Sequence, residues 1–199
     1  MIKAIFFDVG GVIKKYRAEA RQSEVAKRLG TDEEEFVRFW KKSRYYLASG
    51  LMKEEDFCKL AEEKFRVSGV LKIQREEHEK SSRTDVNKEL LEIIESLKSK
   101  YTVGLISNVS NIQKEYNEKA GLYKLFDPCI LSCEVGFIKP DEEIYEFALE
   151  KADAKPEESI AIDDRLSCLA VAEILGFKTI LFENNMKLKK DLLQFGITV

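Results

Sequence analysis

Histidine is almost missing from this 199-residue chain. The single copy, His78, excludes a metal site built from several histidines of one chain. Its setting in the charged stretch QREEHEK predicts a surface position, and any catalytic role would be played alone. Cysteine is scarce too. Cys58, Cys129, Cys133 and Cys168 form no C-x-x-C pair and no zinc-like spacing, so reduced, mostly buried thiols are expected. No apolar run approaches the ~18 residues of a membrane helix, and no membrane partner is expected. The opening MIKAIFFDVGGVI lacks the basic flank and small-residue cleavage site of a secretory signal, and Asp8 interrupts it. It reads as the first strand of a cytoplasmic protein. Neither sign of charge dominates: 33 Lys+Arg stand against 36 Asp+Glu. The net charge of −3 argues against a nucleic-acid binder. There is no internal repeat and no low-complexity linker.

What is abundant is charge, at 35% of residues against a usual ~25%. Hydrophobic residues make up 44%, which suits a folded domain and argues against disorder. The length is enough for one core domain carrying a large insert. Five short apolar runs, at 2–7, 101–107, 129–132, 159–162 and 178–182, read as buried strands of a parallel sheet covered on both faces. Helical patterns separate the last four. Ile93, Ile94 and Leu97 share one helix face. Ser110 with Gln113 forms a capping box for the next helix. Ile144 and Ala148 space a third, and Leu166, Leu169 and Ala170 a fourth, which Gly176 should end with a left-handed cap. The alternation predicts an α/β fold, a doubly wound, Rossmann-like parallel sheet.

Residues 16–82 break the alternation, with helical patterns and no strand. Thr31 and Glu34 form another capping box. Phe36, Phe39, Trp40 and Leu47 follow at helical spacing, Gly50 interrupts, and Phe57, Leu60, Ala61 and Phe65 resume. The stretch reads as a small all-helical cap domain, 16–82, inserted into a core of 1–15 and 83–199. Its aromatic stripe, Phe36, Phe39, Trp40, Phe57 and Phe65, is expected to be cap core.

In an open α/β sheet, ligands sit beyond the carboxyl ends of the strands. The first strand ends in Asp8, the second in Ser107-Asn108, and the fourth in Asp163-Asp164. Lys139-Pro140 lies in the loop after the third. Each alone is commonplace: an Asp or Ser after a strand is more often a turn or helix cap, and a Lys before Pro is usually solvated. Their joint placement at successive strand ends gathers three carboxylates, a hydroxyl and an amine on one edge.

These segments resemble the four motifs of the haloacid dehalogenase superfamily. FFDVGGVI is similar to its first motif, ISN to its second, GFIKPDEEIY to its third and IDDRLSCLAVAEILGF to its fourth. The helical insert falls where the family's helical cap belongs. The nearest resemblance is to the phosphatase-like branch, which holds sugar-phosphate phosphatases and the N-terminal phosphatase of epoxide hydrolases. The resemblance implies a Mg²⁺-dependent phosphohydrolase acting on a small phosphorylated metabolite through a phospho-aspartate. Asp8 would be nucleophile, and Lys139 would neutralise it and the phosphate. The Ser107 hydroxyl and Asn108 backbone N–H would bind phosphate oxygens. Asp8, the Gly10 carbonyl and Asp164 would hold the metal, with Asp163 as a weaker ligand or an outer partner.

Two positions depart from the pattern. Where the family's phosphatases usually carry a second Asp as general acid, this chain has Gly10. The enzyme is then expected to be slow or to favour good leaving groups, unless the cap supplies the proton, with Tyr16, Glu19 and His78 as candidates. Cys168 stands where Asn or Asp commonly orients the metal site, which predicts weaker metal binding. Arg165 is also unusual; pairing with Asp163 or contact with substrate are both open. Two alternative functions follow. One is a weak or inert binding or regulatory protein. The other is a 2-haloacid dehalogenase, against which the paired Asp163-Asp164 argues, since surplus charge would repel a carboxylate substrate. Lys14, Lys15, Tyr16 and Arg17, and Arg44, Tyr45 and Tyr46, are further candidates for contacting substrate.

Overall fold

The five apolar runs form one parallel sheet, ordered β3-β2-β1-β4-β5. Its strands are β1 (Ala4–Phe7), β2 (Thr102–Ser107), β3 (Cys129–Leu131), β4 (Ser159–Asp163) and β5 (Lys178–Leu181). The computed structural model describes every residue except 16, 17, 84 and 85. All four residues of β1 are buried, as a central strand covered on both faces requires. Successive side chains point to opposite faces, so one strand feeds two cores. Ile5 and Phe7 join the cluster that holds Ile94, Leu97, Leu188 and Leu192. Ala4 and Phe6 join the one that holds Ile144, Ala148, Leu169 and Ala172. The first cluster is supplied by α5 (Lys88–Leu97) and, at the C-terminal end, α10 (Asn185–Gln194). The second is supplied by α8 (Glu142–Ala152) and α9 (Leu166–Ile174). Between β2 and α8 run α6 (Asn111–Lys119) and the single turn α7 (Ser132–Val135).

The strand order reverses beside β1, with β2 and β3 on one side and β4 and β5 on the other. Phe7 is level with Leu105 of β2 and Ile162 of β4. One residue further, Asp8 and Asp163 are level, and the Asp8 N–H donates to the Ile162 carbonyl at 2.9 Å. The topology alone thus carries both carboxylates to the switch point where ligands bind.

The insert forms four helices: α1 (Ala18–Leu29), α2 (Glu33–Ala48), α3 (Glu54–Phe65) and α4 (Val70–Arg83). They share an apolar cluster of their own, centred on Phe36, Phe57 and Ala61. Phe39 stacks on Phe57 at 5.5 Å, and Phe65 packs on Phe36 at 5.2 Å. Leu60, part of the helical pattern read from the sequence, is exposed. Two buried contacts join these helices to the sheet layer. The Ser132 hydroxyl donates to the Ala48 carbonyl at 2.6 Å. The buried Lys14 ammonium donates to Asn117 Oδ1 at 2.6 Å and reaches the carbonyls of Ser81 and Ser82 at 3.4 Å.

Three local expectations need correction. The cap of α2 is Asp32, which accepts from the Glu35 N–H at 2.7 Å; it lies one residue after Thr31 and offers a carboxylate to the third helical N–H. Ser110 makes no side-chain cap bond to α6, so the Ser110–Gln113 capping box is not formed. The α9 stripe is rotated: Leu166 is exposed, and Cys168, Leu169 and Ala172 face the core. That helix is apolar nearly all round, so periodicity does not fix its phase. Gly176 does take the left-handed cap conformation, at φ 102°.

Candidate active site

Asp8 follows β1 and is 3% exposed. The buried Lys139 ammonium lies 2.9 Å from Asp8 Oδ1 and 2.5 Å from Asp163 Oδ2. Burial works against the ammonium's charge, but the two carboxylates outweigh it and hold the Lys139 pKa above its ordinary value. Asn108 fixes the lysine's backbone. Its side chain donates to the Lys139 carbonyl and accepts from the Lys139 N–H, both at 2.7 Å. That side chain therefore serves as a clamp, and only the backbone of Asn108 is left for the anion-binding role expected of it.

Asp163 is occupied on both oxygens: Oδ2 by Lys139 and Oδ1 by the Arg165 N–H at 2.9 Å. Asp164 turns toward the loop after β1. A Cβ on Gly11, where φ is 87°, would sit 2.1 Å from Asp164 Oδ2, so only glycine lets that carboxylate approach. Asp8, Asp163 and Asp164 each place a carboxylate oxygen within 4.8 Å of the others. The Arg165 Nε lies 3.8 Å from Asp163 and 3.9 Å from Asp164. All the donors are oxygens, which suits a hard divalent cation. Three carboxylates against one lysine and one arginine leave a negative surplus that such an ion would reverse. Burial keeps the Cys168 thiol pKa raised, so it adds no charge here. The Cys168 carbonyl accepts from the Tyr145 hydroxyl at 2.8 Å.

Over this cluster lies a cavity of about 170 Å³, walled by Asp8, Gly10, Asn108 and Asp164 on the sheet side. Ser107, Lys139 and Asp163 are buried and lie outside the wall. The helices contribute Trp40, Arg44, Glu54 and His78. Arg44 lies 5.9 Å over the Trp40 ring. Trp40 belongs to the buried cap cluster, as expected, and its edge also borders the cavity. Burial and the nearby Arg165 lower the Arg44 pKa.

The candidates for substrate contact separate cleanly. His78 is not at the surface: it is 2% exposed, stacks on Tyr116 at 6.2 Å and faces the cavity. QREEHEK looks solvated because one helix carries both an outer charged face and this inner residue. Lys14 is spent on Asn117 and two carbonyls, Lys15 is exposed, and Tyr45 and Tyr46 are exposed and off the wall. Tyr16 and Arg17 lie outside the described residues. Glu54 was not singled out from the sequence. It begins α3 in the run Glu54-Glu55-Asp56, the ordinary dress of a helix start, and nothing in that run marks its burial.

A family model of haloacid dehalogenase-like hydrolases matches residues 2–174. The chain belongs to that family. The D-ribitol-5-phosphate phosphatase of Bacteroides thetaiotaomicron is 29% identical over 209 residues, covering 96% of this chain and 97% of that enzyme. The mouse bifunctional epoxide hydrolase 2 is 33% identical over 115 residues, covering 54% of this chain and 20% of the mouse protein. The chain thus spans about a fifth of that relative's length. A haloacid dehalogenase family enzyme of B. thetaiotaomicron, in complex with magnesium and inorganic phosphate, shares the fold with a TM-score of 0.78. It is 26% identical, over 94% of this chain and 99% of the other. No helix among the described residues is long and apolar enough to cross a membrane.

Proposed function

We propose that this hydrolase is a magnesium-dependent phosphohydrolase that cleaves a small phosphorylated metabolite through a phospho-aspartate on Asp8. The observation that carries this reading is the buried Asp8–Lys139–Asp163 chain, whose Asp8 lines a cavity together with Asp164. Lys139 keeps one Asp8 oxygen in place and lowers the repulsion an incoming phosphate would meet. The Asp8 carboxylate attacks phosphorus, the ester oxygen leaves, and water then hydrolyses the acyl-phosphate. The Asn108 N–H, on the cavity wall, binds the transferred group, and the Ser107 hydroxyl, buried outside the wall, stands behind it. Asp8, the Gly10 carbonyl and Asp164 would hold Mg²⁺, and Asp163 serves mainly to seat Lys139. The cation supplies charge neutralisation on the phosphoryl oxygens, where positioning and electrostatics do most of the catalysis. We assign residues 16–82 as a cap that closes over a core of 1–15 and 83–199. The relatives that act on ribitol 5-phosphate and glyceraldehyde 3-phosphate support a small phosphorylated substrate.

Gly10 supplies a carbonyl but no proton, so the core by itself favours esters whose oxygen leaves unaided. A panel of phosphorylated metabolites and p-nitrophenyl phosphate, assayed with and without Mg²⁺, tests the proposal against Asp8→Asn as blank. Mg²⁺-dependent phosphate release that the variant abolishes is expected. Release by the variant at the wild-type rate would refute it, and so would a wild type inert on the whole panel.

A further inference from the structure

We propose that Glu54, reaching into the cavity from the helical cap, donates the proton to the departing oxygen in place of the side chain that Gly10 lacks. The inference rests on the phospho-aspartate reading above and removes its restriction on leaving groups.

The argument begins with what walls the cavity. Asp8 and Asp164 are committed to the nucleophile and the metal. Glu19 is exposed and paired with Lys41 at 3.4 Å. His78 is held neutral: burial, with Arg21 and Lys14 nearby, lowers its pKa well below 6.5, so it has no proton to give near neutrality. Tyr16 lies outside the described residues. Glu54 differs from all of these. It is 6% exposed, it walls the same cavity as Asp8, and its Oε2 is buried with no hydrogen-bond partner among the described residues. A buried carboxylate oxygen without a donor costs far more than the neutral acid, which also carries an O–H to offer a ligand.

The surroundings favour the neutral acid. Burial raises the Glu54 pKa to about 7, against the opposing pull of Arg21 from α1 and the Ser110 hydroxyl beside α6. Arg75 of α4 and Glu55 and Cys58 on its own helix are also near, and the same cavity is bordered by Glu19 of α1, Arg44 of α2, His78 of α4 and, from the sheet side, Asp8, Asp164 and Arg165. A general acid works best with a pKa near the working pH.

The steps balance. As the Asp8 oxygen bonds to phosphorus and the phosphorus–ester oxygen bond breaks, the Glu54 proton passes to the leaving oxygen. An alcohol and the Glu54 carboxylate result. Water then attacks phosphorus, the Asp8–phosphorus bond breaks, and the water proton returns to Glu54. No net proton is consumed at Glu54.

The test compares kcat/KM of the full chain with Mg²⁺ on p-nitrophenyl phosphate and phenyl phosphate, esters of similar shape whose leaving groups differ greatly in basicity. Wild type should favour the nitro ester only modestly, by less than about tenfold. Glu54→Gln should lose about 10²-fold or more on phenyl phosphate but less than about fivefold on the nitro ester, in line with the usual worth of general acid catalysis. Wild-type activity on phenyl phosphate should fall as pH rises through about 7, and the variant should lack that limb. Adding Gly10→Asp to the variant should restore much of the lost rate. A Cβ there would meet nothing closer than Asp8 Oδ2, at 3.9 Å. Equal losses on both esters, or none, would overturn the assignment. So would a steep leaving-group dependence in wild type, which needs no variant to fold. Asp8→Asn assayed alongside separates the two levels. A dead Asp8→Asn with an indifferent Glu54→Gln sinks only this inference, whereas an active Asp8→Asn sinks the reading beneath it.

Discussion

Glu54→Gln keeps the shape of a buried side chain and removes only its charge, so its effect on folding should depend on pH with a definite sign. In the unfolded chain this carboxyl titrates near its ordinary 4.5; burial raises it to about 7 in the folded protein. An acid with a raised folded pKa binds its proton more tightly when folded. Its penalty is therefore absent below the unfolded pKa, grows as pH rises, and is complete above the folded one. The rise from 4.5 to about 7, at 1.36 kcal/mol for each pH unit, gives a penalty of about 3 kcal/mol. Glutamine never ionises and escapes it. Urea denaturation of the metal-free proteins from about pH 4.5 to about pH 7.5 measures the difference. The stability of Glu54→Gln relative to wild type should climb by about 3 kcal/mol across that range and then level off. Titrations common to both proteins cancel in the difference. Parallel stability curves would show that Glu54 ionises at its ordinary pKa in the folded state. They would remove the electrostatic ground for a cap-borne acid.

Lys139→Met should cost about 3–5 kcal/mol and abolish turnover, because Asp8 and Asp163 would face each other with no buried cation between them. The stabilisation from Lys139 is fully present below its ordinary 10.5 and fades only as alkaline pH rises through its raised folded value. Denaturation at neutral pH should therefore show the whole deficit, and a neutral substitution there would contradict the buried ion chain. Gly11→Ala places a methyl within 2.1 Å of Asp164 Oδ2 at φ 87°. The left-handed backbone should cost about 1–2 kcal/mol. The displaced carboxylate should weaken Mg²⁺ binding by about tenfold or more, measured by calorimetry. Unchanged affinity would remove Asp164 from the metal site.

Much of this was legible in the sequence, for reasons visible at particular residues. Ile5, Phe6 and Phe7 sit on a strand buried on both faces, so they form an unbroken apolar run that only a central parallel strand explains. Asp8, Ser107 and Asp163 end their strands, and polarity after such a run is conspicuous. Lys139 was placed at the site by its loop, but its role needed the resemblance, because its partners lie 131 and 24 residues away in the chain and nothing local marks it as buried. Glu54 and His78 were hidden for a related reason. Each sits in a charged helical stretch that reads as solvated, and which face turns inward is decided by tertiary packing. The dual use of Asn108 was hidden too, since only the folded loop brings the Lys139 backbone to its side chain.

The measurement that bears most directly on the central claim is the covalent state of Asp8 during turnover. The enzyme is mixed with Mg²⁺ and a phosphate ester, quenched in acid within one turnover, and its peptides are weighed. The account predicts one phosphoryl group on the peptide that carries Asp8, formed with the kinetics of product release from the first step, and its absence in Asp8→Asn. A wild-type burst of product with no phosphoryl group on that peptide, or one carried by another residue, would contradict it.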